Sequence, residues 1–233
     1  MAQHSLRFYC SHILLPLVAG AALLWLYPQT QWDVTLTSWF YDPNRHVFPL
    51  KNHFFLDAVM HTGLKSALWF IPITLLSALI WSRFASDFVV HRRRIIWMLL
   101  GLLLSTALIQ VMKRHSIHAC PWDLQLFGGQ APLLPLLGRL PLGVSPGRCF
   151  PGGHASGGFA LLVFYFALRD DARKYAWIGF AIAIGLGFAM GWSQMMRGAH
   201  FLSHNLWTLW WVWIILVLLY IVWPPVLCQK IVK

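Results

Sequence analysis

The 233-residue chain contains no glutamate, and seven aspartates are its entire stock of acidic side chains. That scarcity argues against a two-metal hydrolase, whose ions are caged by several carboxylates. Charge of either sign is thin, at 11% of residues against 58% hydrophobic and 15% aromatic, a balance outside the range of water-soluble domains. No separate soluble domain is left over. The longest polar stretches, 29–63 and 113–153, are each too short and too poor in apolar alternation to build a core of their own. The first apolar run also lacks the small-residue cleavage pattern of a signal peptide and carries little charge before it, so it reads as a retained span.

What is present is apolar length. Six segments approach the roughly 20 residues a spanning helix needs: 12–27, 64–82, 95–112, 155–168, 175–192 and 206–223. The expected fold is therefore all-α, a polytopic membrane protein forming a six-transmembrane-helix bundle as one membrane-embedded domain over residues 1–233. The net charge of +11 falls mainly between the apolar runs. Arg7, the Arg92, Arg93 and Arg94 run, the group Arg169, Arg173 and Lys174, and the pair Lys230 and Lys233 all fall on one side of a six-span chain. Short Lys/Arg-rich loops stay cytoplasmic, which places both termini in the cytoplasm. The two long loops and the turn between the fifth and sixth spans then face outward. A bacterial inner membrane with a periplasmic face is the simplest setting. Trp207, Trp210, Trp211 and Trp213 fit an interfacial belt. The lipid bilayer is the expected partner and nucleic acid is not, because no basic segment is interleaved with stacking aromatics outside the apolar runs.

The outward face is richer in polar groups than anchoring requires. Lys113, Arg114, His115, His118, Arg148, His154, Arg197, His200 and His204 all adjoin span ends. Since the fourth and fifth spans form an antiparallel pair, His154 and His200 return to the same membrane face. Lys and Arg supply fixed charge and forked donors for phosphate oxygens. Gly152 and Gly153 let backbone amides approach an anion at a helix start. Two imidazoles can divide the remaining chemistry, one attacking phosphorus and the other protonating the leaving oxygen. That scheme calls for no metal and no cofactor.

These residues resemble the type 2 phosphatidic acid phosphatase superfamily, whose pattern is K-x6-R-P, then P-S-G-H, then S-R-x5-H-x3-D. Lys113 and Pro121 match the first part, with Cys120 standing where Arg is usual. The run Pro151, Gly152, Gly153, His154 matches the second, with Gly152 in place of Ser. Ser193 and His200 match the third, but Gln194 replaces its Arg and His204 its Asp. The likeness extends from about residue 60 onward in helix count and motif order. It implies a metal-independent membrane lipid phosphatase acting through a phosphohistidine. His200 would be the nucleophile, His154 the general acid, Lys113 a phosphate ligand, and the amides of Gly152 and Gly153 the transition-state cradle. With the orienting Asp absent, His204 or Asp123 would fix the His200 tautomer. Arg148 and Arg197 are the expected stand-ins for the two missing arginines.

Cys120 and Cys149 both fall in the outward loop, where an oxidising compartment favours a disulfide between them; two free thiols, or a metal held by Cys and His, are the alternatives. His115 and His118 read as loop donors or headgroup contacts. His46, His53 and His61 read as interfacial, and Asp57 as solvated or paired with Lys65. Asp170 and Asp171 read as a solvated turn. The glycines of the fifth span, Gly179, Gly185, Gly187 and Gly191, read as close-packing positions. Other functions compete with hydrolysis: phosphate transfer to a second lipid on the same site, a catalytically degenerate relative, or a bundle binding haem or metal through His154 and His200. A transporter or channel is disfavoured, because no span carries an ionisable residue near its centre.

Overall fold

A computed structural model describes residues 5–226, apart from the side chains of Ser86 and Asp87. Cys228, Lys230 and Lys233 lie outside the described residues. The described chain is helical, with two isolated β-bridges and no strand. Five helices are long and apolar enough to cross a membrane: α1 (Leu6–Gln29), α2 (Phe55–Trp81), α3 (Arg92–His115), α5 (Arg173–Met196) and α6 (Leu202–Val222). Between α3 and α5 lies the shorter apolar helix α4 (Ala155–Leu168). The protein is an integral membrane protein. Against the expected six spans, the described residues hold five helices of full length and one shorter apolar helix. At 1.5 Å per residue α4 reaches only about 20 Å, short of a hydrocarbon layer about 30 Å thick.

Burial explains why a short helix suffices there. Phe159, Leu162, Val163 and Phe166 of α4 are wholly enclosed, since α3, α5 and α6 surround them. A helix sheathed by protein need not match the bilayer. The closest approach is to α5, where a Cβ on Gly158 would overlap the backbone of Gly187, so only glycine at both positions lets the two helices touch. Gly185, in contrast, faces open space.

Two boundaries differ from the expectation for reasons that bear on the site. Helix α2 begins at Phe55, well before the apolar run from residue 64, and its opening stretch Phe55–Gly63 is π-helical. Asp57, His61 and Lys65 interrupt the apolar pattern there, and they do so because that face turns toward other polar groups. Likewise α1 starts at Leu6, ahead of residue 12, because His12 is buried and accepts from Tyr165 Oη and Arg169 Nη1, each at 2.8 Å.

The bundle has two distinct ends. At one, Arg94 Nη2 lies 2.7 Å from Asp171, and Tyr220 Oη donates to Asp170. Asp170 and Asp171, expected as a solvated turn, are instead latches between α3, α6 and the α4–α5 connection. At the other end the two long connections fold together, which neither could do alone. Phe48, Leu124, Phe127 and Phe201 form a small second core there, and Cys120 and Cys149 are joined in a disulfide.

Candidate functional site

The second end gathers the histidines. His154 stands immediately before α4, His200 in the turn between α5 and α6, and His204 in the first turn of α6. The rings of His154 and His200 have centroids 6.2 Å apart, so one phosphoryl-sized group can touch both. His200 Nδ1 lies 3.2 Å from His204 Nδ1. One of these nitrogens donates and the other accepts, which couples the two tautomers; with His200 Nδ1 as the donor, its Nε2 carries the lone pair. His204 thereby occupies the orienting position for which Asp is usual.

Three contacts set this arrangement. The half-buried carboxylate of Asp33 accepts from Ser203 N at 2.9 Å and from Ser203 Oγ at 2.5 Å, and also from Tyr27 Oη at 2.8 Å. It thus caps α6 from a distant segment, satisfying first-turn donors beside His204. Burial pushes the Asp33 carboxyl up, although these hydrogen bonds oppose the shift. Gly152 N donates to His204 O at 3.0 Å, and a Cβ at position 152 would meet Asn205 Oδ1 at 2.6 Å. Glycine therefore replaces the usual serine where Asn205 has taken the room. The disulfide then fastens the segment before Phe150 and Pro151 to the segment that follows α3.

Electrostatically the site is short of anions. His154 is pushed down to about 3, first by burial and then by the charges of His61, Lys113, Lys65 and Arg197. His200 is held well below its ordinary range by burial, with His204, Lys113 and His154 adding to the effect. Both imidazoles are therefore neutral at neutral pH in the empty site. His154 Nδ1 is buried and accepts or donates no hydrogen bond, an unsatisfied group of the sort that collects at functional positions.

Lys113 meets its expectation of place: its side chain lies against Gly153, with Nζ 3.7 Å from where a Cβ would stand. Arg197 is buried at the site but fully engaged. Its Nε donates to Lys51 O at 2.8 Å, its Nη2 pairs with Asp57 at 2.8 Å and its Nη1 approaches Gln194 Oε1 at 3.5 Å. Arg148 is exposed, its backbone in the left-handed region at φ 53°, and it is not among the charges acting on His154 or His200. The structure thus does not bring Arg148 into the cluster. Asp123 is exposed, and its carboxylate accepts from Trp122 Nε1 at 2.9 Å; the side chain found beside His200 Nδ1 is that of His204. The Gly152 amide is spent on His204, whereas no hydrogen bond of the Gly153 amide is found among the described residues.

Three site residues escape sequence reasoning. Asp57, His61 and Lys65 recur at a spacing of four along the start of α2, a signal of one helix face. His61 lies against His154, ring centroids 4.1 Å apart, instead of at the interface. Asp57 is not paired with Lys65 but is shared by Arg197 at 2.8 Å and His61 at 3.4 Å. The donor atoms of Cys149, His200 and His204 lie within 4.8 Å of one another, the spread of a metal site. The Cys149 sulfur is committed to Cys120 and offers no thiolate, which leaves two imidazoles and no closed ligand set.

A membrane-embedded helix bundle with paired imidazoles and uncompensated cations at one end belongs to the class of proteins that handle anionic groups at a membrane boundary. Within that class, the chain belongs to the PAP2 superfamily, whose sequence profile matches residues 94–226, the stretch holding all three motifs. That membership is consistent with a lipid phosphatase in general. No curated protein and no solved structure matches the chain.

Proposed function

We propose that the protein is a metal-independent lipid phosphatase that cleaves a phosphomonoester or diphosphate at the outer face of a membrane, in a bacterial cell the periplasmic face of the inner membrane. The observation that carries this reading is the 6.2 Å separation of His154 and His200 amid cations that one shared carboxylate does not neutralise. The Nε2 lone pair of His200 attacks phosphorus, the bond to the leaving oxygen breaks, and that oxygen takes a proton from His154. Water then attacks the phosphohistidine, gives its proton to His154 and returns the electron pair to His200.

His154 must be protonated for the first step, yet burial and surrounding cations keep it neutral in the empty site. A bound phosphate dianion reverses the balance of charge and draws the proton in. The empty enzyme is thereby held uncharged at His154, and the substrate itself arms it. Lipid chains have a place beside the site: a cavity of about 650 Å³ is lined by Phe55, Leu56, Met60, Phe188, Trp192 and Met196. Ser193 and Asn205 share its wall, and Asn205 abuts Gly152.

A second cavity of about 350 Å³, bordered by His118, Phe150, His204 and Trp207, favours one variant of this reading, transfer of the phosphoryl group to a second lipid in place of water. The deciding experiment is phosphate release from a panel of phosphatidate, phosphatidylglycerol phosphate, polyprenyl diphosphate and lipid A, without added divalent metal. Wild-type protein should release phosphate and His200→Ala protein should not. Equal release from both would end the nucleophile assignment, and label appearing in an added lipid in place of free phosphate would establish transfer.

A further inference from the structure

Both positions at which the superfamily pattern calls for arginine lack one here. Cys120 is locked in a disulfide, and Gln194 is buried. Of the two arginines expected as stand-ins, Arg148 is not among the charges acting on His154 or His200 and Arg197 is occupied by Lys51, Gln194 and Asp57. The binding surface for phosphate oxygens must therefore be completed from elsewhere. The structure leaves one source at the site, the opening of α2.

We infer that His61 and Lys65 of α2 are phosphate-binding residues, taking the place of the missing arginines and making anion binding depend on pH. The inference rests on the proposed reading of the site as a phosphate site and adds two ligands to it. His61 is in ring contact with His154 at 4.1 Å, the same ring that stands 6.2 Å from His200. An anion between His154 and His200 therefore lies within reach of the His61 ring. Asp57 lies 3.4 Å from His61 Nδ1, so that Nε2 can donate to an anion once the ring is protonated. Lys65 is exposed and follows His61 by four residues, one turn further along the same face of α2, and its charge acts on His154, on His61 and on Lys113.

The π-helical start of α2 suits such a role. Wider turns of this kind occur as local features at functional sites, and here the stretch carries Asp57 and His61 toward α4 while Phe55 and Leu56 line the apolar cavity. The groups facing His61 are Asp57 and Lys65 on its own helix, Lys113 on α3, Arg197 at the end of α5 and His154 before α4. An imidazole amid three cations and one carboxylate gains a proton most readily when an anion is present, and it does so more as pH falls. An arginine at this place would bind equally at all these pH values.

The test uses the full-length protein in detergent and inorganic sulfate, a dianion that does not itself titrate between about pH 5 and about pH 9. Calorimetric binding of sulfate should tighten as pH falls from about 8 to about 6, where imidazole ordinarily titrates. His61→Asn should weaken binding about tenfold at the acid end and reduce the pH dependence to the part that His154 contributes. Lys65→Gln should weaken it about tenfold with the pH dependence retained, and His61→Arg should bind tightly at every pH. Thermal unfolding of each variant identifies any that fail to fold, and the Asn and Gln variants carry the conclusion if the Arg variant does. Unchanged affinity and an unchanged pH profile in folded His61→Asn overturn the inference. Because sulfate binding requires no turnover, this failure is separate from a failure of the phosphatase reading, which would appear as a wild-type protein releasing no phosphate from any lipid.

Discussion

The two ends of the bundle use the same basic and imidazole side chains and arrange them to opposite effect. At the Arg94 end two cations meet acceptors: Arg94 pairs with Asp171, and Arg169 with Asp170 and with the His12 ring, while Arg93 lies over the Trp223 ring with its Nε unpartnered among the described residues. At the His154 end one carboxylate, Asp57, is divided between Arg197 and His61, while Asp33 is spent on Ser203 and Tyr27. Lys113 and Lys65 are left to act on His154. A folded chain tolerates unpaired positive charge near its interior only at a cost, and among the described residues carboxylates offset that cost less at the His154 end. The difference fits a division in which the first end holds the helices together and the second is the proposed anion site.

Replacing one residue from each end puts the contrast at risk most directly. His154→Ala should lower kcat for phosphate release by about 10²- to 10⁴-fold, the usual worth of a placed proton donor. It should leave thermal stability nearly unchanged, because the ring removed carries a buried nitrogen without a partner. If His154→Ala unfolds the protein while sparing activity, the division of labour between the ends is wrong. Next in size is the disulfide. In the chain-entropy model a bridge closing a loop of sequence separation 29 contributes about 3 to 4 kcal/mol. The double variant Cys120→Ser, Cys149→Ser should therefore unfold at markedly lower denaturant, and reductant should reproduce the shift in wild type. A protein indifferent to both would show that the packing of Phe48, Leu124, Phe127 and Phe201 suffices to hold that end.

How much of this was legible beforehand depended on whether local and distant demands agreed. Helices α3, α5 and α6 are readable because their apolar runs are unbroken, and the motif residues Lys113, His154 and His200 because order and spacing carry them. The start of α2 is not readable. There the residues that serve the site, Asp57, His61 and Lys65, are the ones that spoil the hydropathy signal, so function erased the mark by which the helix would be found. They also precede residues 94–226, the span of the superfamily match. Arg148 fails for a different reason. Adjacency to a motif fixes where a backbone passes and says nothing of where a side chain points, and a φ of 53° leaves this one outside the cluster. Asp33 could not be connected to α6 from sequence, since Ser203 lies 170 positions away.

A smaller effect is expected at the opposite end. Arg94→Ala removes the 2.7 Å pair with Asp171, whose side chain is 38% exposed, so solvent screening limits the loss to about 1 to 2 kcal/mol. Unfolding in denaturant should report that loss, and kcat should not move. A change in kcat without a change in stability would mean that the two ends communicate, and the comparison would have to be redrawn as a coupling.

The smallest expected effect concerns the response of the His154 end to pH. His154 is pushed down to about 3 from an ordinary 6.5, and His200 is held well below the same value. Unfolding releases both to titrate normally, so below about pH 6.5 the unfolded chain binds protons that the folded chain refuses. Stability contributed by these two rings is complete above that pH and is lost as the solution is acidified toward pH 3. Thermal unfolding in detergent should therefore occur at lower temperature near pH 5 than near pH 7.5, and His154→Ala should flatten the slope. Sulfate should restore part of the loss, and restore more at pH 5 than at pH 7.5, because an anion in the site makes protonation favourable there and binds the folded state alone. Equal stabilisation by sulfate at both pH values, or a slope untouched by His154→Ala, would mean that the acid sensitivity of the fold lies elsewhere than in the anion-poor end.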